Sequence, residues 1–274
     1  MVTQNGIAYG LHAYQVPIGG RTAKGTPIPS VLPVQADQTI ATILPVAEFS
    51  SDEYIILATE KGWIKRTPLD AFEKTTSRGL TIISLEENDR LQWCNLCRKG
   101  DDILMGSTRG MAIRFEAESL RPSGRTSRGV RAMKLHEGDT IADMNVLSGK
   151  SQTGETRKEF VLCMTSQGFG KRVATSEFRP QARGGIGLLA IKFKKSLKNE
   201  DRMSCFCIVG EDDEILLITS RGIMVRQKVS EISLQSRTAT GVVVQKVDRG
   251  DHIANVGLVP KYEERDESEL PVLQ

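Results

Sequence analysis

The sequence predicts an all-β chain, a radial, propeller-like array of four-stranded units. Three sets of landmarks carry that expectation. A first glycine ends each apolar run, at Gly6, Gly62, Gly110, Gly168 and Gly222, with spacings of 56, 48, 58 and 54 residues. A second follows 17 or 19 residues later, at Gly25, Gly79, Gly129, Gly185 and Gly241, and six positions beyond it stands Val31, Leu85, Leu135, Ile191 or Val247. An aspartate closes each set, at Asp37, Asp89, Asp139, Asp201 and Asp251. A constant order at such a period marks a repeat architecture. One small sheet cannot bury both faces, so the five units must stack on one another.

Within a unit the segments are of strand length: Leu91 to Cys97, Ile103 to Thr108, Met111 to Phe115 and Val130 to Leu135. Gly110 sits between the second and third, where a hairpin turn needs positive φ. Pro17, Pro68, Pro122 and Pro180 fall in the connection before the second glycine, where no ladder hydrogen bond is lost. No stretch reads as a long capped helix, and no apolar run approaches the roughly 20 residues of a membrane-spanning one.

Thirty-seven basic residues against 34 acidic ones give +3 overall, but Glu263, Glu264, Asp266, Glu267 and Glu269 crowd the last fourteen residues beside only Lys261 and Arg265. The remainder carries +6 and the end is an acidic tail. The five cysteines, Cys94, Cys97, Cys163, Cys205 and Cys207, are odd in number and follow no secretory segment, which favours reduced thiols. Cys94-x-x-Cys97 has the spacing of half a zinc site, yet it has no second pair and lies in a strand, so buried thiols are expected. His136 and His252 stand beside aspartate turns and His12 is isolated, so all three read as turn or surface residues. Glu211-Asp212-Asp213-Glu214 reads as a solvated hairpin tip.

The fourth residue after each first glycine is Gly10, Arg66, Arg114, Arg172 and Arg226. In a radial array a recurring position falls on a circle, so this arginine predicts a positive belt. Lys65 and Lys171 precede two of them, and the following connections add Arg21, Lys24, Lys74, Arg78, Arg121, Arg125, Arg128, Arg131, Arg179, Arg183 and Arg237. Such a belt suits a bending polyanion: guanidinium groups on phosphates release counterions without reading base sequence. A kelch- or WD-type propeller that binds a protein is the rival reading, against which stands the absence of any Trp-Asp pair.

These residues resemble the C-terminal domain of the DNA gyrase A protein over nearly the whole chain. The segments that carry the likeness include Gly6-Ile7-Ala8-Tyr9, Arg21-Thr22-Ala23-Lys24-Gly25, Thr126-Ser127-Arg128-Gly129-Val130-Arg131 and Val229-Ser230-Glu231-Ile232-Ser233. The resemblance implies a β-pinwheel of six blades that wraps double-stranded DNA. It places one such domain at residues 1–260, lacking the start of its first visible blade and the blade before it, and a flexible acidic tail at 261–274. The family's diagnostic turn, Q-R-R-G-G-K-G, belongs to that missing blade; Gln181-Ala182-Arg183-Gly184-Gly185-Ile186-Gly187 is similar, with Ala182 and Ile186 departing from it. Its Arg183 and glycine amides are expected to meet phosphate. By this resemblance Lys65, Arg66, Arg78, Arg114, Arg128, Lys171, Arg172, Arg183 and Arg226 are the candidate DNA contacts. The corresponding domain of topoisomerase IV would share the fold.

The resemblance also implies what lies elsewhere. The family's DNA-cleaving tyrosine follows an arginine, whereas the tyrosines here follow Ala8, Ala13, Glu53 and Lys261, so no catalysis is expected of this chain alone. Gly149-Lys150-Ser151 lacks the first glycine of a phosphate loop, which stands as Met144. No cofactor is expected here; ATP and magnesium would serve the complete enzyme, a heterotetramer with the rest of gyrase A and with gyrase B. The wording of the first repeat looks closer to plastid or mitochondrial members, which would place the chain in an organelle; a bacterial chain would sit in the cytoplasm at the nucleoid. The acidic tail is expected to compete with DNA for the basic belt.

Overall fold

The computed structural model describes residues 1–20, 22–35, 38–148, 158–194 and 201–259. Arg21, Asp37, Gly149 to Ser151 and the acidic tail lie outside the described residues. The chain forms five antiparallel blades, and among the described residues it has no α-helix, only short 3-10 turns. Among the described residues no helix is long and apolar enough to cross a membrane.

Blade 1 is ordered β3 (Ile40–Thr42), β1 (Val2–Thr3), β2 (Ile7–Ala8), β6 (Leu80–Thr81), and blade 2 β7 (Leu91–Arg98), β4 (Glu53–Thr59), β5 (Trp63–Pro68), β10 (Val130–Arg131). Blade 3 follows as β11 (Ile141–Leu147), β8 (Asp102–Ser107), β9 (Met111–Glu116), β14 (Leu188–Leu189). Blade 4 is β15 (Met203–Gly210), β12 (Glu159–Thr165), β13 (Phe169–Ala174), β18 (Val242–Val243), and blade 5 is β19 (Ile253–Val259), β16 (Glu214–Thr219), β17 (Met224–Lys228). The strands β3, β7, β11, β15 and β19 pack on one another in that order and form the axial edges of the blades.

This connectivity corrects the expected unit. Leu91 to Cys97 pairs with β4 of the preceding hairpin, and Val130 pairs with Ile64, so both outer segments of the expected unit belong to the blade before. The hairpins of blades 1 to 4 therefore each receive their fourth strand from the next repeat, and blade 5 is three-stranded among the described residues. We call the connection that carries this strand the strap. Its glycine is where the two repeats touch: a Cβ on Gly129 would meet the Ile64 carbonyl oxygen at 2.3 Å and one on Gly187 the Ala112 carbonyl oxygen at 2.3 Å. The fourth repeat's strap glycine is thus Gly187, not Gly185, and its following apolar partner is Phe193, against which Gly110 packs as Gly62 packs against Leu135.

The core is divided into layers between blades. Ile55 and Leu57 face blade 1 beside Val2 and Ala8, whereas Ile56 and Ala58 face blade 3 beside Ile103 and Met105. Leu104, one step along the same strand, joins Val161 and Phe206 of blade 4. This is the two-residue alternation of a strand covered on both faces. Cys94 and Cys97, three apart, point into different layers and cannot share a metal ion. Burial pushes both thiols up to about 12.

Five Thr or Ser residues, three before each turn glycine, hold the hairpins: the Gly62 N–H donates to the Thr59 carbonyl at 3.0 Å and the Trp63 N–H to the Thr59 hydroxyl at 3.1 Å. Thr3, Ser107, Thr165 and Thr219 do the same. The aspartates tie the next segment to that turn. Asp139 Oδ1 accepts from the Thr108 hydroxyl and from the N–H groups of Arg109 and Thr140 at 2.8, 2.9 and 3.0 Å. Asp201 and Asp251 repeat the arrangement with Ser166 and Ser220 as the hydroxyl donors, and Asp89, with Glu60 in the hydroxyl position, keeps the two backbone N–H groups of Lys61 and Arg90. His136 and His252 are exposed beside these turns, and His12 stacks on Tyr14.

Candidate nucleic-acid interface

In blades 1 to 4 the strap lies at the edge opposite the axial strand, so exposed basic residues on straps stand at the outer edges of successive blades. Arg78, Arg128 and Arg183 are exposed there, on the straps laid over blades 1, 2 and 3. Arg128 pairs with Glu86 at 2.7 Å while its guanidinium stacks 4.0 Å from the Trp63 ring; Arg131 stacks on the same indole at 4.2 Å. A guanidinium laid on an aromatic face keeps its charge and loses rotamers, which leaves it ready to take a phosphate. The turn around Arg183 commits its backbone to the fold: the Gly184 N–H donates to the Ala132 carbonyl at 2.7 Å and the Gly185 carbonyl accepts from Lys134 N–H at 2.8 Å. The Gly184 amide expected to meet phosphate is therefore occupied, and the Arg183 side chain is what this turn offers.

The recurring arginine behaves otherwise. Twelve residues before it, diagonally across the hairpin, stands an aromatic or acidic residue, and the guanidinium is engaged with it in every blade that has the arginine. Arg66, 7% exposed, lies 4.4 Å over the Tyr54 ring, and Arg172, also 7% exposed, 4.9 Å over Phe160. Arg114 places Nε and Nη2 at 2.7 Å from Asp102, and Arg226 pairs with Glu214. Arg172 also donates Nε to the Ile232 carbonyl at 2.7 Å and Nη2 to the Ser230 carbonyl at 3.1 Å, both in the connection that follows. Arg114 reaches the carbonyls of Thr175 and Phe178 in the same way, at 3.5 and 3.4 Å. At Arg114 and Arg172 the belt position thus anchors the next repeat, and of the four arginines only Arg226 is exposed.

Lys65 and Lys171 are buried, at 2% and 0% exposure. Lys65 Nζ has four carbonyls within hydrogen-bonding distance, those of Ile82, Gly124, Arg125 and Ser127 at 3.0, 2.7, 2.7 and 3.1 Å, so its three N–H donors are all used and one is shared. Lys171 Nζ donates to those of Ser236, Arg237 and Ala239 at 2.7, 2.6 and 2.8 Å. Burial pulls both ammonium groups down to about 8, leaving them protonated at pH 7. The structure thus places both lysines inside the blades with their ammonium groups bound to carbonyls, not at the surface. Of the nine candidates, Arg78, Arg128, Arg183 and Arg226 are at the surface, Arg114 is half-buried, and Lys65, Arg66, Lys171 and Arg172 are inside.

Residues 1–46, 53–98, 101–148, 159–204 and 213–260 match the family described as DNA gyrase C-terminal domain, beta-propeller. The chain belongs to that family. It is 39% identical to the DNA gyrase A protein of Synechocystis sp. over 98% of its length and 34% of that protein's, and 31% identical to the chloroplastic/mitochondrial DNA gyrase A protein of Nicotiana benthamiana over 97% and 30%. It therefore spans about a third of the relatives it matches. A solved gyrase A C-terminal domain superposes with a TM-score of 0.77 at 26% identity, covering 94% of this chain and 80% of that one. The C-terminal domain of DNA topoisomerase IV gives 0.84 at 23% identity, with 94% and 77% covered, a likeness of fold alone.

Proposed function

We propose that this gyrase A C-terminal domain binds double-stranded DNA without sequence preference and bends it around the outer edges of its blades, as part of a gyrase-type topoisomerase. The observation that carries the reading is the placement of exposed arginines on three successive straps, each on the connection that leads into a blade's outer strand and none on an element that could enter a groove to read bases. Cleavage and ATP hydrolysis would belong to the remainder of gyrase A and to gyrase B. The compartment would be the bacterial cytoplasm or a plant organelle.

The test is a titration of linear duplex at two salt concentrations with Arg78→Ala, Arg128→Ala and Arg183→Ala combined. Binding should weaken alike for all sequences, and the slope of log affinity against log salt should fall by about 0.9 for each phosphate that is no longer neutralised. Unchanged affinity and slope would remove the straps from the interface.

A further inference from the structure

Lys65 and Lys171 hold the third position after the turn glycine in blades 2 and 4, where blades 1, 3 and 5 have Tyr9, Ile113 and Val225. An uncharged side chain fills that place as well, Ile113 and Val225 apolar and Tyr9 with its hydroxyl donated to Gln38 at 2.9 Å, so the fold does not need an ammonium there. Burying one is costly unless it is fully hydrogen-bonded. What the lysines add is convergence of carbonyls. Gly124, Arg125 and Ser127 all turn their carbonyls onto Lys65, and Ser236, Arg237 and Ala239 onto Lys171. An ammonium has three donors and no acceptor, so it fixes a loop only through its carbonyls. The side chains of the first loop, Arg125 half-buried and Arg128 exposed, lie toward the surface.

We propose that Lys65 is a positioning residue for DNA binding: from inside the blade it locks the strap of the third repeat, so that Arg125 and Arg128 meet phosphate already in place. On the fifth strap, by contrast, Arg237 already donates Nη1 to the Leu189 carbonyl at 2.8 Å. The inference rests on the straps being DNA contacts. It differs from direct contact, because Lys65 does not touch DNA, and from simple stabilisation, because it acts through named arginines on another repeat. Ordering the loop in advance spares that ordering on binding.

The experiment uses Lys65→Met, Arg125→Ala/Arg128→Ala and the triple variant, titrated against linear duplex, with trypsin cleavage after Arg125 and Arg128 followed in parallel without DNA. Lys65→Met should weaken binding about tenfold and speed cleavage at those arginines. The triple variant should bind no more weakly than Arg125→Ala/Arg128→Ala. Lys65→Ile, the residue blade 3 uses, supplies a second variant, and loss of fold in both would overturn the inference by making the lysine a stability residue. Unchanged binding by Lys65→Met, or a full additional loss in the triple variant, would overturn it too. If Arg125→Ala/Arg128→Ala itself has no effect on a chain that binds DNA, the strap assignment fails; if it weakens binding and Lys65→Met does not, only the positioning role fails.

Discussion

Arg114 illustrates how far a single position can be read. Its recurrence at Arg66, Arg172 and Arg226 is plain in the sequence, but its role depends on the residue twelve positions earlier, Tyr54, Asp102, Phe160 or Glu214. Only the hairpin register brings that residue under the guanidinium. Replacing Arg114 with alanine strips Asp102 of its partner and frees the Thr175 and Phe178 carbonyls. It should cost about 1–3 kcal/mol of stability, read by urea unfolding, with little loss of DNA affinity. The aspartates were legible as landmarks and not as staples, since their partners lie about 30 residues away in sequence. Asp139→Ala leaves three donors without an acceptor and should destabilise by about 2–4 kcal/mol, whereas Asp139→Asn retains an acceptor oxygen and should cost about half as much.

At the scale of elements, the exchanged strand is what the period conceals. A repeat read along the chain gives the same landmarks whether its fourth strand pairs at home or next door. The glycine distinguishes them physically: Gly129 has φ +95° and a carbonyl where a Cβ would go, while Gly25 has φ +76° and nothing within 4 Å. Gly129→Ala should therefore cost about 2–4 kcal/mol and expose Val130 and Arg131 to hydrogen exchange, and Gly25→Ala only about 1 kcal/mol, the penalty of its backbone conformation. The axial strands bring a second test. Asp143 on β11 is pushed up to about 7 by burial, against hydrogen bonds from the Met144 and Phe206 backbone and from Trp93 that favour its charge. Its folded value exceeds its unfolded one, so the folded chain binds the extra proton between about pH 4 and 7, and stability declines as pH rises through that window. Asp143→Asn should remove this decline, raising the unfolding midpoint at pH 8 and leaving it nearly unchanged at pH 4.

For the whole molecule, net charge says little and placement says more. The +3 of the chain averages an acidic end with arginines set one strap at a time over successive blades. Contacts spread in this way act differently from a single basic patch. Bending a duplex of 20–30 bp by 40–90° costs on the order of 1–6 kcal/mol in deformation, which separate phosphate contacts along the arc must offset. Substitutions at distant straps share no partners, so their effects should add in free energy. On a long duplex the affinity losses of Arg78→Ala and Arg183→Ala should multiply. On a duplex of about 10 bp, roughly 34 Å long, either substitution should cost little, because the fragment can settle on an unaltered strap. Anisotropy titrations with the two lengths at two salt concentrations decide the matter: equal losses on both would mean one local site, and a loss that grows with length would mean that the blades hold DNA along a curve.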